Sequence, residues 1–439
     1  MRPFRTALVL FALVSAPRFV VAQEPDVARP ISLEEAVRLA QLNSPLTVTA
    51  RNALRTGKMT EMNALGQYLP NISVNYGTTN YSGAFFQQGA LLPYTGLPWN
   101  YSKGYSGNII LFDGGQRWFG YKQAQANQRV NEEAETVQRF SVATTVKQQY
   151  FAVLQARELE AAGASALEAA QTTLNASVAR VKVGAVIRTD SIRATIQVGT
   201  ARLTLLNARA QLRDANAALA RLVASEAPVT ANPADTSDVP TLAVDDASLE
   251  RMAQDGPGVR QAIASLDAAK QGQRATVTSQ YIPQVRAGYT YSASANLSQN
   301  FNWGGGPSAT QVFYSFGVSY NIFNNFTREL ATVQARVAED NAEAALRDAR
   351  FNAKATLAQL IDAFRTAKQT VDLQQLQIAA AEEDLAATQS RYSLGAVAYL
   401  DLLTSQTALD AQRVLLINAR YTARTAKAAI EAFIGQDLK

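Results

Sequence analysis

Residues 180–186 read Arg-Val-Lys-Val-Gly-Ala-Val, and residues 391–397 repeat this pattern as Arg-Tyr-Ser-Leu-Gly-Ala-Val. The two stretches lie 211 positions apart, and the same offset relates Asp190 to Asp401. Further pairs at this offset, or two positions beyond it, are Phe112 with Phe323 and Tyr68-Leu-Pro70 with Tyr281-Ile-Pro283. A period this long exceeds that of solenoid repeats, so it indicates duplication of a whole half-protein.

Each copy has the same order of predicted elements: a helical stretch, a strand, a Gly-rich loop, a second strand, a very long helix, a turn and a returning helix. The first repeat spans residues 23–224 and the second spans residues 247–439. A linker rich in Pro and Asp, residues 225–246, separates them. Residues 1–22 are predicted to be a signal peptide.

The signal peptide is predicted from three features of the N-terminus. Arg2 and Arg5 precede an apolar run over residues 7–16, and the small residues of 20–22 suit cleavage before Gln23. The alternative is an uncleaved membrane anchor. The apolar run is only about half as long as a membrane-spanning helix requires, which favours cleavage after export.

The composition argues against several classes of function. The sequence contains no histidine and no cysteine, which removes the usual general base, the usual zinc ligands and the thiol nucleophile. We therefore expect no enzyme activity, no metal site and no cofactor. The formal charge of +5 includes Arg2, Arg5 and Arg18 of the signal peptide. The near balance that remains gives no reason to expect a nucleic-acid partner.

Four predicted strands alternate with a period of two, as a sheet with two different faces does. The clearest is the fourth, in which small polar residues and Gly separate Tyr314, Phe316, Val318, Tyr320 and Ile322. The others cover residues 72–76, 101–111 and 285–291. An apolar, aromatic face opposite a small polar face is typical of a barrel wall between lipid and water. The alternative is a soluble sandwich with one buried face.

The predicted helices carry apolar residues at intervals of seven, as coiled coils do. On the long helices this stripe is Val146, Val153, Glu160, Leu167, Leu174 and Val181 in the first copy, and Leu357, Phe364, Val371, Ile378, Leu385 and Tyr392 in the second. The first long helix, residues 116–182, would be about 100 Å long. The stretches 33–65 and 189–223 are each about half as long, so they could stack end to end beside it.

Four strands cannot close a membrane barrel, because the smallest closed barrels use about eight. An open edge in lipid would leave unpaired backbone groups, each costing several kcal/mol. Several subunits must therefore share one barrel. Two subunits would close a small barrel filled by side chains, and three or more would leave a water channel.

Taken together, these sequence features resemble those of the TolC-like outer-membrane efflux protein family. The resemblance runs from Ser32-Leu-Glu-Glu-Ala36 and Asn43-Ser-Pro45, through Leu111-Phe-Asp-Gly-Gly115, to Arg391-Tyr-x-x-Gly395 and Asp401. It implies a mainly α-helical homotrimer in which the four strands of each protomer form a shared twelve-stranded barrel in outer-membrane lipid. A coiled-coil helical barrel would continue the channel through the periplasm. An adaptor protein and an inner-membrane transporter would dock at its far end.

The function implied by the resemblance is an outer-membrane exit duct of a tripartite efflux or type I secretion system of a Gram-negative bacterium. The family's tunnel closes at the helical tips. Positions matching its constriction are Tyr392, Val397, Asp401 and Thr404, with Asp190 in the first tip. Val397 stands where the family has an arginine, and Thr404 stands where it has a second aspartate.

Asp401 and Asp190 have two alternative roles, one in the tunnel constriction and one in capping a helix. A threefold ring of Asp401 would favour cations at the tunnel entrance. Asp401, and Thr189 or Asp190, could instead only cap the helices that begin after each turn. The resemblance further implies that the adaptor contacts the two tips, which here are Val183-Gly184-Ala185 and Leu394-Gly395-Ala396.

A rival of another class fits part of the same pattern. The chain could be a periplasmic coiled-coil scaffold without a pore, in which the alternating segments form soluble strands. The two readings differ in where the protein fractionates and in whether it forms a heat-sensitive oligomer in detergent.

Overall fold

The computed structural model describes residues 28–87, 89–93, 96–97, 99–184, 186–236, 241–242, 244–297 and 309–438. The predicted signal peptide, residues 1–22, lies outside the described residues. The helices are α1 (Leu33–Asn43), α2 (Pro45–Gly66), α3 (Gln116–Lys182), α4 (Arg188–Val223), α5 (Asp246–Gln254), α6 (Pro257–Tyr281), α7 (Thr327–Ser393) and α8 (Tyr399–Ile434). The strands are β1 (Arg29–Ile31), β2 (Asn71–Asn80), β3 (Ala84–Gln87), β4 (Ala90–Pro93), β5 (Trp99–Phe112), β6 (Val229–Ala231), β7 (Gln284–Leu297) and β8 (Ala309–Ser319).

The internal repeat is visible in the helix lengths. Helices α3 and α7 both have 67 residues, and the returning helices α4 and α8 both have 36. At 1.5 Å per residue the long helices measure about 100 Å. The predicted fold class, a mainly helical chain with four longer strands and a twofold repeat, is confirmed.

One predicted helix is divided in the structure. The sequence pattern indicated a single helix over residues 33–65, but this expectation was wrong: α1 ends at Asn43 and α2 begins at Pro45. Ser44 between them is extended, with ψ at 130°. The break follows from Pro45, which lacks an N–H group, disfavours helical backbone in the residue before it, and fits the first turn of a new helix.

The helices form four neighbouring columns across the protomer. The first column is α2 with α4, the second is α3, the third is α6 with α8, and the fourth is α7. Helices α2 and α4 share one side of α3. The end of α1, which leads into α2, meets the end of α4 where Asn43 Nδ2 donates to the carbonyl oxygen of Val223 over 3.4 Å. Helices α6 and α8 share one side of α7 in the same way. The end-to-end stacking expected for the first repeat therefore occurs in both.

The seams within each hairpin are apolar, as the interval of seven predicts. Seam residues that are nearly inaccessible to solvent include Val146 and Val153 of α3 with Leu205 and Leu219 of α4, and Leu357, Phe364 and Val371 of α7 with Leu409 and Ala423 of α8. Glu160 interrupts the stripe, and Arg209 Nε of α4 donates to its carboxylate over 3.0 Å. An ion pair thus replaces an apolar contact at that level.

Four strands form one antiparallel sheet in the order β2-β5-β7-β8. The register aligns mostly like with like across the strands. One row is Val74, Tyr105, Tyr291 and Val312, and the adjacent row on the other face is Ser73, Ser106 and Thr290 followed by Phe313 of β8. The predicted apolar and polar faces therefore run across the sheet, except that Phe313 stands on the polar face of β8. Its outer strands, β2 and β8, each leave one edge unpaired in the sheet as described.

The junction between sheet and helices is built alike in both repeats. Asp113 accepts from the backbone N–H groups of Gly115 and Arg117 at the start of α3, and its carboxylate pairs with Arg117 Nε at 2.6 Å. The Arg117 guanidinium lies 4.7 Å from the ring centre of Tyr68. In the second repeat Arg328 lies 4.7 Å from the ring centre of Tyr281, and a neutral Asn324 caps α7.

Two short strand pairs were not expected from the sequence. Strands β3 and β4 form a hairpin between β2 and β5, and β1 pairs in parallel with β6. The second pair is fixed by the buried Tyr150, whose hydroxyl donates to the Ile31 carbonyl and to Asp235. Strand β6 lies inside the predicted linker, so part of that segment packs on the helices. In the described part of the chain, no helix has the length and apolarity needed to cross a membrane.

Candidate functional site

The lower ends of the two helical hairpins form the predicted tips. In the first, the turn after α3 places Gly184 at φ +75°, and in the second the turn after α7 places Gly395 at φ +77°. Such backbone favours glycine because it has no Cβ. The adjacent Val183 is 78% exposed and Leu394 is 81% exposed. The tips therefore present apolar side chains to solvent.

The remaining tip residues are less uniform. Ala185 lies outside the described residues, and Ala396 is exposed with its N–H bonded to the Arg391 carbonyl at 2.9 Å. That bond closes the end of α7. Ala396 thus follows glycine in the turn, where its methyl group adds little to the exposed surface.

Asp401 caps the helix that follows the second tip. Its Oδ2 accepts from the backbone N–H of Ala398 over 3.1 Å, while the side chain stays exposed. The capping role considered as an alternative is therefore present in the geometry. Thr404, one turn further along α8, donates to the carbonyl oxygen of Leu400 at 2.9 Å.

Asp190 lies in the first turn of α4, but it makes no side-chain hydrogen bond to the cap of that helix. Its nearest charged partner is Arg193 at 3.9 Å, a long contact between neighbouring turns. It also lies near Tyr399 of the other hairpin. Burial raises the pKa of the Tyr399 hydroxyl, and the neighbouring Tyr392 and Asp190 raise it further.

Tyr392 and Tyr399 form an aromatic pair beside the second tip. Their rings meet edge to face with centroids 6.1 Å apart. Each hydroxyl is buried and has no hydrogen-bond partner among the described residues. Tyr392 therefore contributes its ring to the packing of the tip.

Arg180 joins the two hairpins, and the sequence analysis did not identify it. From the last turn of α3 its Nη1 donates to the Tyr392 carbonyl at 3.2 Å, and its Nη2 donates to the Ser393 carbonyl at 3.4 Å. Its guanidinium also lies 4.8 Å from the centre of the Tyr392 ring. These carbonyls end α7, where the helix dipole favours a cation. Arg180 is the first residue of the repeated stretch 180–186, and this position in the repeat is the sequence feature that could have identified it.

The contact between the hairpins carries more polar pairs than the seams within them, although Ile417 and Tyr421 of α8 belong to one apolar cluster with Val146 and Leu154 of α3. Hydrogen-bonded pairs that link α3 to α8 are Lys147 with Glu431 (2.6 Å), Gln155 with Asn418 (2.7 Å), Glu158 with Tyr421 (2.5 Å) and Thr173 with Gln406 (3.2 Å). Hydrogen bonds to neutral groups contribute only about 1 kcal/mol each net, and those to charged groups contribute somewhat more. The seam between the hairpins is thus held by polar pairs as well as by apolar packing.

Long paired helices below a two-faced sheet that is open at both edges define the subunit of a membrane channel with an attached tunnel. The chain belongs to the outer membrane efflux protein family, whose model matches residues 67–225 and 249–436. No curated protein sequence matches it. It is an exit duct for efflux in the outer membrane, and its helical part lies in the periplasm.

Solved structures of outer-membrane channels share the fold. VceC of Vibrio cholerae is 17% identical, with a TM-score of 0.73 over 93% of this chain and 97% of VceC. MtrE of Neisseria gonorrhoeae, solved in its open state, is 20% identical, with a TM-score of 0.75 over 93% of this chain and 89% of MtrE. CmeC of Campylobacter jejuni is 15% identical, with a TM-score of 0.74 over 93% of this chain and 86% of CmeC.

Proposed function

We propose that three copies of this chain close one twelve-stranded barrel and one helical tunnel. The observation that carries the proposal is the pair of unpaired edges of the sheet, on β2 and on β8. Pairing β8 of one copy with β2 of the next satisfies both edges around a ring. Three copies supply twelve strands, which leave a lumen that eight would fill with side chains.

The helices support the same closure. Helix α7 ends the array on the β8 side, and α2 with α4 ends it on the β2 side. Both ends expose large apolar side chains: Val333, Phe351, Leu373 and Leu376 on α7, and Met59, Met62, Ile196 and Leu203 on α2 and α4. Contact between these two faces removes them from water and repeats head to tail around the ring.

The two faces of the sheet set its orientation in the membrane. Residues such as Tyr314 and Phe316, which are 74% and 79% exposed in the protomer, meet outer-membrane lipid. The opposite face, which consists mostly of Ser, Asn, Thr and Gly but includes Ile110 and Phe313, lines the lumen. Tyrosines on the lipid side suit the headgroup level.

The ring acts as the exit duct of a tripartite efflux or type I secretion system, and cargo leaves it chemically unchanged. An inner-membrane transporter supplies the energy, and a periplasmic adaptor binds the exposed apolar tips at Val183-Gly184-Ala185 and Leu394-Gly395-Ala396. The absence of His and Cys from the sequence supports a duct without catalysis or cofactor, and the nearly balanced charge gives no reason for a nucleic-acid partner. The mature chain begins after residue 22, and residues 225–246 connect the repeats.

The tunnel narrows at the tips, where Asp190, Tyr392, Asp401 and Thr404 belong to the constriction. Arg180 takes the place of the arginine that is missing at Val397, because it ties the end of α3 to the end of α7. The polar seam between the hairpins supports opening by movement of one hairpin along the other.

The assembly is tested by fractionation and by particle mass in detergent. We expect outer-membrane recovery, a trimer that heating dissociates, and single-channel conductance in lipid bilayers. A monomer recovered from the soluble periplasm would instead support the scaffold without a pore.

The role of Asp401 is tested separately with two substitutions. Asp401→Asn removes the charge and retains an oxygen that can accept from the Ala398 N–H, whereas Asp401→Ala removes both. We expect both variants to lose cation preference in reversal-potential measurements, and only Asp401→Ala to lose about 1 kcal/mol of helix stability. Unchanged selectivity in both variants would leave Asp401 as a cap alone.

A further inference from the structure

The four strands of the sheet contain two charged residues, and these lie on opposite faces. Lys103 of β5 pairs in register with Tyr76 and Ala293 on the apolar face. Arg286 of β7 pairs with Ile110 and Gly317 on the polar face. Every other described residue of the polar face is uncharged. Arg286 is therefore the one strand charge on the side assigned to the lumen.

The guanidinium of Arg286 has a neutral partner. Its Nη2 donates to Gln284 Oε1 at 2.7 Å, and Gln284 Nε2 in turn donates to Gln116 Oε1 at 3.1 Å. Among the described residues no carboxylate forms an ion pair with it. The side chain is exposed, so a full positive charge faces the lumen side without compensation.

The surroundings of Arg286 leave room for a bound group. It lines a cavity of about 990 Å³ at the base of the sheet, between the strands and the end of α2. Neutral polar residues on the cavity wall are Asn63, Gln67, Asn71, Asn108 and Ser315, and the wall also includes apolar residues such as Leu69, Ile110 and Phe316. Next to Arg286, a Cβ added at Gly317 would meet no atom within 4 Å, so the space on that side is open.

We propose that Arg286 forms an anion-binding ring where the helical tunnel enters the barrel, a site that takes phosphate, sulfonate or carboxylate groups of departing molecules. The inference rests on the proposed trimer, which places three copies of Arg286 at one level of the lumen. Guanidinium groups bind such oxyanions bidentately. Rings of Arg or Lys attract anions into pores, and within the described ranges no carboxylate is ion-paired with Arg286.

The probe for this site is inositol hexakisphosphate, added to the barrel side of trimers reconstituted in a planar bilayer. We expect it to block the wild-type current, and to need at least about tenfold higher concentration to block Arg286→Gln, because the variant loses the charge-assisted hydrogen bonds of the guanidinium to the phosphates. Arg286→Lys keeps the charge without the fork and should lie between the two. Higher salt should weaken the block of the wild type.

Lys103→Gln is the matched control, because it removes one positive charge from the opposite face of a neighbouring strand. It should be blocked as the wild type is. Block of Arg286→Gln at the wild-type concentration would overturn the proposal, and so would a loss of block in Lys103→Gln equal to that in Arg286→Gln.

A gain-of-charge variant covers the case in which Arg286→Gln does not assemble. Ser73 is the repeat-related position of Arg286 and lies on the same face, so Ser73→Arg should add a second ring and strengthen the block. Without that strengthening the anion ring is refuted. A wild-type chain that neither trimerises nor conducts would refute the duct itself, whereas normal conductance with no effect at Arg286 or Ser73 refutes only the anion site.

Discussion

Replacing Arg180 by alanine should loosen the contact between the two helical hairpins at their tips. The side chain makes two hydrogen bonds to carbonyl oxygens of α7, at 3.2 and 3.4 Å, and a cation–π contact with Tyr392. Both bonds are long and partly solvated, so we assign the three contacts together about 2 kcal/mol per protomer. If the three protomers open together, Arg180→Ala favours the open state by about 6 kcal/mol, or roughly 10⁴-fold.

The assay is single-channel recording in planar bilayers at low and high salt. We expect Arg180→Ala to show long open periods of higher conductance where the wild type remains closed. High salt should narrow the difference, because it screens the partly exposed guanidinium.

Arg391 provides the control for this experiment, since it occupies the same position of the second repeat. Its side chain is exposed and has no hydrogen bond or ion pair to another described residue. Arg391→Ala should therefore conduct as the wild type does. Equal conductance of Arg180→Ala and the wild type, with both trimers intact, would refute the reasoning, and so would equal opening of both variants.

Two further predictions concern stability, and both are read from the temperature at which the trimer dissociates in detergent gels. Asp113→Ala should destabilise each protomer by about 3–5 kcal/mol, because it leaves Arg117, which is 9% exposed, without its anion. Asp113→Asn should lose less stability, because its amide oxygen can still cap α3. An equal loss of stability in the two variants would contradict this prediction. Burial lowers the pKa of Lys147, but its bonds to Asp437 and Glu431 outweigh burial and raise the pKa above 10.5. Its stabilisation is therefore complete below about pH 10 and is lost as the pH rises through the raised value, so Lys147→Met should remove this alkaline decline.

Features with a regular period could be predicted from the sequence. The interval of seven places α3 at residues 116–182, the bounds found in the structure. The period of two identifies the four strands of the sheet and the faces that their register keeps continuous. Both signals are local, so distant parts of the chain do not alter them. The break before α2 could also have been predicted, because proline at position 45 disfavours a continuous helix through residue 44.

Contacts between distant parts of the chain could not be predicted in this way. Strands β1 and β6 have three residues each and are about 200 positions apart, so neither shows a period. Arg180 and Arg391 occupy the same place in the repeat, and nothing local tells which one bridges the hairpins. The cap formed by Asp401 was foreseen as an alternative, since an acidic residue at a helix start has that use in any fold.

The matched helix lengths limit how this chain can change in evolution. One residue inserted into α3 alone moves everything beyond it by about 1.5 Å and turns it by about 100°, which carries the apolar stripe away from α4. An insertion that also occurs in α4 restores their mutual registry but makes the first hairpin longer than the second. Viable length variants must therefore add or delete whole turns in all four helices together. The distance that the helices span in the periplasm is therefore fixed against single insertions and deletions.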